Sequence, residues 1–460
     1  MLAFIHRHKL LLVLTLALLV RGVILFSLPQ IFRFEQTGAV HGSDAYDAYA
    51  QNLLVSGIYG RVNGVPDAMI PPGYSYVLAG VYALIGRGGV QVGLFHTALD
   101  LLSITLLYHI GRRLFTPDGE WIGTLAGVCY ALYPYLVFQN LTLIDTPLFM
   151  VILFAFLLVM ISLRERPTYD RATFGYAVLG GVILGVSMLV RPILPPLAVL
   201  VALWFLFRVN VWQTVTRLLP VALIGVGVVL GWTVRNYGVF QQIVPLTATS
   251  GANFWQGNSP YTVPYFRAGY DVQWTSPDTL QSADRNSLEA DAERFALGWE
   301  YLQTHPERIP ELLWVKFLVH WSVDIAPRRN PTAGALPRLD YEGNVLVEDA
   351  TQLELGGLPQ GDPVDAYSEP LFDRIGRAVH RVYFGGLLAL CLVGMGLSVR
   401  QWRSVSLLVF TQVSMTALYM LFHPSTRYRV PTDPLLFLFS AVALLAITRW
   451  IIRPRKQPTP

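Results

Sequence analysis

Cysteine is almost missing from these 460 residues: Cys129 and Cys391 are the two, far apart and each inside an apolar run. That excludes a disulfide framework and a cysteine-based metal site, and it leaves two buried structural thiols. Charge is scarce as well, at 14% against 53% hydrophobic residues, and the mean hydropathy is +0.46. Such a balance is incompatible with a soluble globular fold. The first apolar run, Leu10 to Leu28, is interrupted by Arg21 and lacks a small-residue cleavage pattern after it, so it reads as a membrane span rather than a signal peptide. No internal repeat is evident, which argues against an inverted-repeat transporter. The net charge of +4 would suggest anionic partners in a soluble protein. Here the basic residues sit mostly in connectors between apolar runs, where they report membrane orientation and not nucleic acid.

What is present is a series of apolar runs of about 17 to 23 residues, the length that crosses a hydrocarbon core as helix. The expected spans are 10–28, 90–110, 120–138, 141–163, 174–190, 193–208, 217–233, 379–399, 404–422 and 431–450. The segment 71–86 needs its own decision. If it also crossed, the connectors bearing Arg112-Arg113, Arg164/Arg166/Arg171 and Arg208/Arg217 would lie opposite the basic N-terminus, against the positive-inside rule. Laid at the outer surface as a short helix, it lets every basic connector face the cytoplasm, including Arg400/Arg403 and the tail Arg449, Arg453, Arg455 and Lys456.

The expected fold is therefore an all-α polytopic membrane protein of about ten transmembrane helices. Residues 1–233 form an N-terminal transmembrane module that includes a first outer loop, 29–89. Residues 234–378 form an extracytoplasmic region with an interfacial helix over 308–325, and residues 379–460 supply the C-terminal helices and a basic cytoplasmic tail. Within the second loop, Lys316 and the tryptophans read as headgroup anchors.

With that topology the unusual polar motifs share one face. The run His41-Gly-Ser-Asp44-Ala-Tyr46-Asp47-Ala-Tyr49-Ala50 starts a helix that Ser43 can cap, with Tyr46, Tyr49, Ala50 and Leu53 along one side. A carboxylate there is also what a dipole-stabilised helix start looks like. Pro71-Pro-Gly-Tyr74-Ser-Tyr76 launches the next helix. Asp145 follows Gln139-Asn140 and precedes Pro147, so a structural cap is a serious rival to a functional role. Arg191 and Arg235 lie at span ends, where snorkelling is the ordinary explanation, but several arginines on the side where positive charge is disfavoured call for another. Arg427 and Arg429 flank Tyr428, and a guanidinium fork suits a phosphate. His41 and His423 lie on the same side without a spacing that defines a metal site.

In order along the chain, the Asp44 motif, the Pro71-Pro-Gly-Tyr74 helix start, Arg191-Pro192, Trp232-Thr-Val-Arg235-Asn236-Tyr237, Gly251-Ala-Asn-Phe-Trp-Gln-Gly257-Asn258, His305-Pro306 and Arg427-Tyr428-Arg429-Val-Pro431 resemble bacterial GT-C glycosyltransferases related to protein O-mannosyltransferases and aminoarabinose transferases. The resemblance covers almost the whole chain and implies a polyprenyl-phosphate sugar donor in the membrane lipid, with an acceptor of protein, lipid or glycan type. It implies a catalytic Asp in the first outer loop, here Asp44, and a second acidic residue at the outer end of a later span, here Asp145. Two departures limit it. Met69-Ile70 stands where aminoarabinose transferases carry Glu-Lys, and Ala45 stands where some mannosyltransferases carry a second carboxylate. A divalent metal is compatible with such an enzyme, but no ligand set is defined and no cofactor is assigned.

The chemistry needs a base for the acceptor hydroxyl and fixed cations for the departing phosphate; a single displacement inverts the anomeric centre. Asp44 is the expected base, with Asp145 orienting it or an acceptor. Arg427, Arg429, Arg191 and Arg235 are the expected phosphate ligands, and Tyr46, Tyr74, Tyr428 and His423 the expected substrate contacts. A flippase for a lipid-linked saccharide and a non-catalytic relative are the competing readings. The first would need polar groups along a path through the membrane, and Asp100 and His109 are the few at mid-depth.

Overall fold

The computed structural model describes residues 2–27, 43–282, 284, 287–327, 335–340, 342–349 and 370–452. Helices α1 (Leu2–Ser27), α2 (Ser43–Ser56), α3 (Pro72–Ile85), α4 (Gly89–Leu114), α5 (Gly119–Ala131), α6 (Pro134–Gln139), α7 (Thr146–Glu165), α8 (Arg171–Val190), α9 (Pro195–Leu206) and α10 (Val211–Phe240) make the N-terminal part. The segment between α10 and the C-terminal helices holds α11 (Ser250–Gly257), α12 (Thr262–Ala268), α13 (Leu288–Thr304), α14 (Ile309–His320) and an antiparallel hairpin of β1 (Ala335–Leu339) and β2 (Val345–Asp349). The chain closes with α15 (Pro370–Leu397), α16 (Trp402–Leu421), the short α17 (Thr426–Arg429) and α18 (Asp433–Ile452).

Among the described residues eight helical stretches are long and apolar enough to cross a membrane, so the chain is a multi-pass membrane protein. Two expected spans fall short. The run 120–138 is broken between α5 and α6, where Pro134 begins a new helix, and α9 has 12 residues, about 18 Å of rise. The segment 71–86 is the 14-residue α3, about 21 Å, which is too short to cross unaided. Pro72 starts it and Gly86, with φ near 88°, ends it. Within 308–325, where an interfacial helix is expected, residues 309–320 form the helix α14.

Close backbone approach packs the bundle. A Cβ on Gly181 or Gly185 of α8 would lie 2.8–2.9 Å from carbonyl oxygens of Val221 and Gly225 on α10, so small residues let these two helices meet. At mid-depth Arg21 of α1 is ion-paired with Asp100 of α4, and Arg21 Nη1 donates to Ala131 O at 3.0 Å. The same carboxylate accepts from Tyr130 Oη (2.7 Å) and Asn140 Nδ2 (2.6 Å).

The two ends of the bundle differ in kind. At one end the basic connectors tie to one another: Lys9 to Glu120, Arg113 to Glu165, Arg164 to Arg403 O, Arg217 to Arg166 O and Arg449 to Asp118. Asp145 and Arg164 bracket α7, Arg171 and Arg191 bracket α8, and Asp433 and Arg449 bracket α18. Asp145, Arg191 and the 423–433 stretch therefore lie at the opposite end from the basic connectors.

Candidate functional site

Asp145 precedes the first turn of α7, yet its carboxylate makes no capping bond to that helix. It takes a two-pronged ion pair instead: Arg191 Nε donates to Oδ2 at 2.7 Å and Nη2 to Oδ1 at 2.6 Å, with Nη2 also reaching Thr146 Oγ1 at 3.0 Å. Arg191 stands at the C-terminal cap of α8, so neither group is a simple end-of-helix anchor. Both are buried. Burial works against the Arg191 charge, but the Asp145 carboxylate outweighs it and holds the guanidinium pKa above its ordinary value.

Around this pair stands a wall of tyrosines. Tyr46 of α2 packs edge-on against Tyr74 of α3, with ring centroids 4.9 Å apart, and Tyr428 of α17 stacks on Tyr419 of α16 at 4.9 Å. Burial first, and the Asp145 charge second, raise the Tyr46 pKa, and the same hydroxyl is within electrostatic reach of Arg427, Arg191 and Tyr428. His423 joins the wall: its Nε2 lies 3.4 Å from Tyr428 Oη and its Nδ1 3.4 Å from Asn253 O. Burial above all brings its pKa down to about 4, so the imidazole is neutral.

Arg427 Nε is buried without a hydrogen-bond partner, as are Arg191 Nη1 and Arg429 Nη2. Arg427 differs from those two in that, among the described residues, no acceptor bonds any part of its guanidinium, which lies 5.7 Å from the Tyr428 ring.

The other expected phosphate ligands are engaged elsewhere. Arg429, fully buried, donates from Nε to Asp433 Oδ1 (3.1 Å) and from Nη1 to the carbonyls of His320 (3.0 Å) and Ser322 (2.6 Å). Arg235 holds the segment between α2 and α3, donating to Asp67 O (3.0 Å) and Tyr59 O (2.9 Å) while lying over the Trp232 ring at 4.7 Å. Lys316 is no headgroup anchor. It is wholly buried, with Nζ donating to Asn258 Oδ1 and Met420 O, each at 2.9 Å. Asn258 in turn follows Gly257, whose Cβ would lie 2.0 Å from Phe422 O, so the glycine lets the α11 turn close on the His423 stretch. Asp44 lies in the first turn of α2, two residues before Tyr46. Its side chain, and all of His41, lie outside the described residues. Among the described residues no cluster of three or more His, Cys, Asp or Glu is arranged to hold a metal.

One site residue had no signal in the sequence. Asp271 is 8% exposed, its Oδ1 accepts from Gln273 N at 3.1 Å, and it lies within electrostatic reach of Arg427 and Tyr428.

Known proteins resemble this chain in sequence and in fold. Residues 70–234 match the family described as dolichyl-phosphate-mannose-protein mannosyltransferase. Among solved structures, the oligosaccharyltransferase of Archaeoglobus fulgidus tethered to an acceptor peptide is similar at TM-score 0.52 and 10% identity, covering 98% of this chain and 51% of that one. The same archaeal enzyme, AglB, in complex with an inhibitory peptide and a dolichol-phosphate gives 0.50 and 13%, covering 99% and 53%. ArnT from Cupriavidus metallidurans in the apo state gives 0.40 and 15%, covering 96% and 78%. This chain spans about half the length of the oligosaccharyltransferase. No curated protein matches. The fold is that of the GT-C membrane glycosyltransferases, and the resemblance drawn from the motifs is borne out.

Proposed function

We propose that this chain is an inverting glycosyltransferase that moves a sugar from a polyprenyl-phosphate donor to an acceptor hydroxyl on the extracytoplasmic face of the membrane. The observation that carries the reading is Arg427: a cation with a buried, unpartnered Nε, set among Tyr46, Tyr428 and the Asp145–Arg191 pair at the end of the bundle away from the basic connectors. A guanidinium in such a setting is suited to a phosphate that arrives with the substrate. The family matched by residues 70–234 is named for dolichyl-phosphate-mannose, and a protein of the same architecture was solved with a dolichol-phosphate; both support a lipid-phosphate donor.

In the reaction, the acceptor oxygen forms a bond to the anomeric carbon as the bond from that carbon to the phosphate oxygen breaks. The acceptor proton passes to Asp44, and the phosphate leaves with the bonding electrons, its charge met by Arg427. Asp145 acts through Arg191, holding a second guanidinium beside the donor. Tyr46, Tyr74, Tyr428 and neutral His423 shape the chamber and exclude water.

A flippase would need free polar groups through the bundle, whereas Asp100 at mid-depth is neutralised by Arg21 and saturated by Tyr130 and Asn140. Incubation of the purified protein with a panel of polyprenyl-phosphate sugars and an acceptor extract, with released polyprenyl phosphate measured by mass spectrometry, tests the reading. Release is expected with at least one donor; a protein that runs on a nucleotide sugar alone would overturn it.

A further inference from the structure

Asp271 lies between α12 and α13, on the turn that opens the short helix Val272–Trp274. Of its two oxygens, Oδ1 accepts from Gln273 N within the turn, and Oδ2 has no partner among the described residues. The residue is buried all the same. Oδ2 is not among the fully buried atoms that lack a partner, so it keeps accessible surface through which a group that is not part of the protein can reach it. Arg427 is near enough to act on Asp271 electrostatically, yet no ion pair joins them. A carboxylate and a guanidinium, each with unmet hydrogen-bonding capacity, thus lie within electrostatic reach of one another without an ion pair.

Resting on the reading of Arg427 as the donor-phosphate ligand, we propose that Asp271 is a substrate-binding carboxylate whose Oδ2 accepts a hydrogen bond from a sugar hydroxyl lying beside that phosphate. A phosphate cannot itself be the partner of Oδ2, because two anions would repel. A hydroxyl can, and polyprenyl-phosphate sugars and glycan acceptors both carry several. Burial lifts the Asp271 pKa to about 6, against the opposing effects of the Gln273 N–H and Arg427, so near neutral pH the side chain is mainly the anionic acceptor this role needs.

The test uses Asp271→Asn in the full-length protein. Asn keeps an Oδ1 to accept from Gln273 N and replaces only the free oxygen by an NH2 donor, so the turn is preserved; Asp271→Ser, which also keeps an acceptor, serves if the Asn variant does not fold. Binding of undecaprenyl phosphate alone and of undecaprenyl-phosphate hexoses is measured first. Asp271→Asn is expected to bind undecaprenyl phosphate at least as well as the wild type, since a negative charge near the phosphate is gone. If the hydroxyl belongs to the donor, the extra affinity conferred by the hexose falls about ten- to hundredfold. If it belongs to the acceptor, that increment is kept, and the amount of acceptor extract needed for half-maximal release of undecaprenyl phosphate rises by a similar factor. No change in either measurement, or an equal loss of affinity for undecaprenyl phosphate itself, overturns the assignment. Failure of the underlying reading looks different: the wild type does not bind undecaprenyl phosphate, or Arg427→Gln binds it as well as the wild type does.

Discussion

Among the described residues three Arg–Asp pairs are buried, and two of them, Arg21–Asp100 and Arg191–Asp145, differ in what surrounds them. The Arg21–Asp100 pair, at mid-bundle, is closed: its carboxylate accepts from Tyr130 and Asn140 as well, and its guanidinium reaches a helix-end carbonyl. The Asp145–Arg191 pair, at the bundle end, touches Thr146 and is otherwise ringed by Tyr46, Tyr74, Tyr419 and the uncommitted Arg427. Each pair leaves one guanidinium nitrogen without a partner, Arg21 Nη2 and Arg191 Nη1. The Asp100 carboxylate, however, is held by two further side chains and fixes helix positions, whereas the Asp145 carboxylate is held by Arg191 alone, and this more open pair is the better placed to meet a substrate.

The largest effect expected at the open end comes from Asp44→Asn. The amide keeps the shape but cannot take the acceptor proton, so turnover should fall by roughly 10²–10⁴-fold. Melting temperature in detergent and donor binding should stay near wild type. Wild-type release of polyprenyl phosphate by this variant would remove Asp44 as the base.

Neutralising each pair in turn sharpens the contrast. Asp100→Asn leaves Arg21 as an uncompensated buried charge, which should destabilise the fold by about 3–5 kcal/mol, with part of the loss restored in Arg21→Met/Asp100→Asn. Thermal unfolding of the three variants measures it. Asp145→Asn is also expected to destabilise, but donor affinity should fall as well, because Arg191 loses its orientation. Equal donor affinity in Asp100→Asn and Asp145→Asn, once both are folded, would erase the distinction between the pairs.

A smaller contrast lies between Arg427 and Arg429. Arg427→Gln should weaken donor binding by about ten- to hundredfold at little change in stability, with Lys a partial substitute because it lacks the planar fork. Arg429→Gln strands Asp433 and two carbonyls, so it should lower the melting temperature first. A titration of each variant with undecaprenyl phosphate, beside its melting curve, reads both.

That contrast also marks how far the sequence can be read. The composition, the apolar runs and the positive-inside count lead to a polytopic helical bundle with basic connectors gathered at one end, and the motif order leads to its architecture. The sequence does not say which arginines are free. Residues 427 and 429 are two apart on a short helix, so their side chains leave it in nearly opposite directions, one toward the chamber and the other toward Asp433 one turn on. Arg235 reads as a phosphate ligand because its acceptors, the carbonyls of Tyr59 and Asp67, belong to a loop far away in sequence. The same applies to Asp145, whose helix-start position suggests a cap until Arg191 is brought to it by the packing of α7 on α8. The hairpin β1–β2 and the burial of Asp271 carry no periodic signal in a loop-rich stretch of mixed composition.

Lys316 extends the comparison to a buried cation with no carboxylate at all. Its two acceptors, Asn258 Oδ1 and Met420 O, match the two N–H groups of a neutral amine, and burial lowers its pKa from 10.5 to about 7. The folded pKa lies below the unfolded one, so between these values the unfolded chain binds the proton and the folded chain does not. Stability contributed by this residue should therefore rise with pH across that window, by up to about 1.4 kcal/mol per pH unit, with the penalty fully in place below pH 7. Lys316→Met removes the titration together with two hydrogen bonds, whose loss does not vary with pH in this range. The difference in unfolding free energy between wild type and Lys316→Met should thus move in favour of the wild type from pH 7 to pH 9.5. Melting curves for the two proteins at a series of pH values in one detergent provide the measurement. Curves that stay parallel throughout would mean that Lys316 is charged in the folded protein and that a counter-charge reaches it.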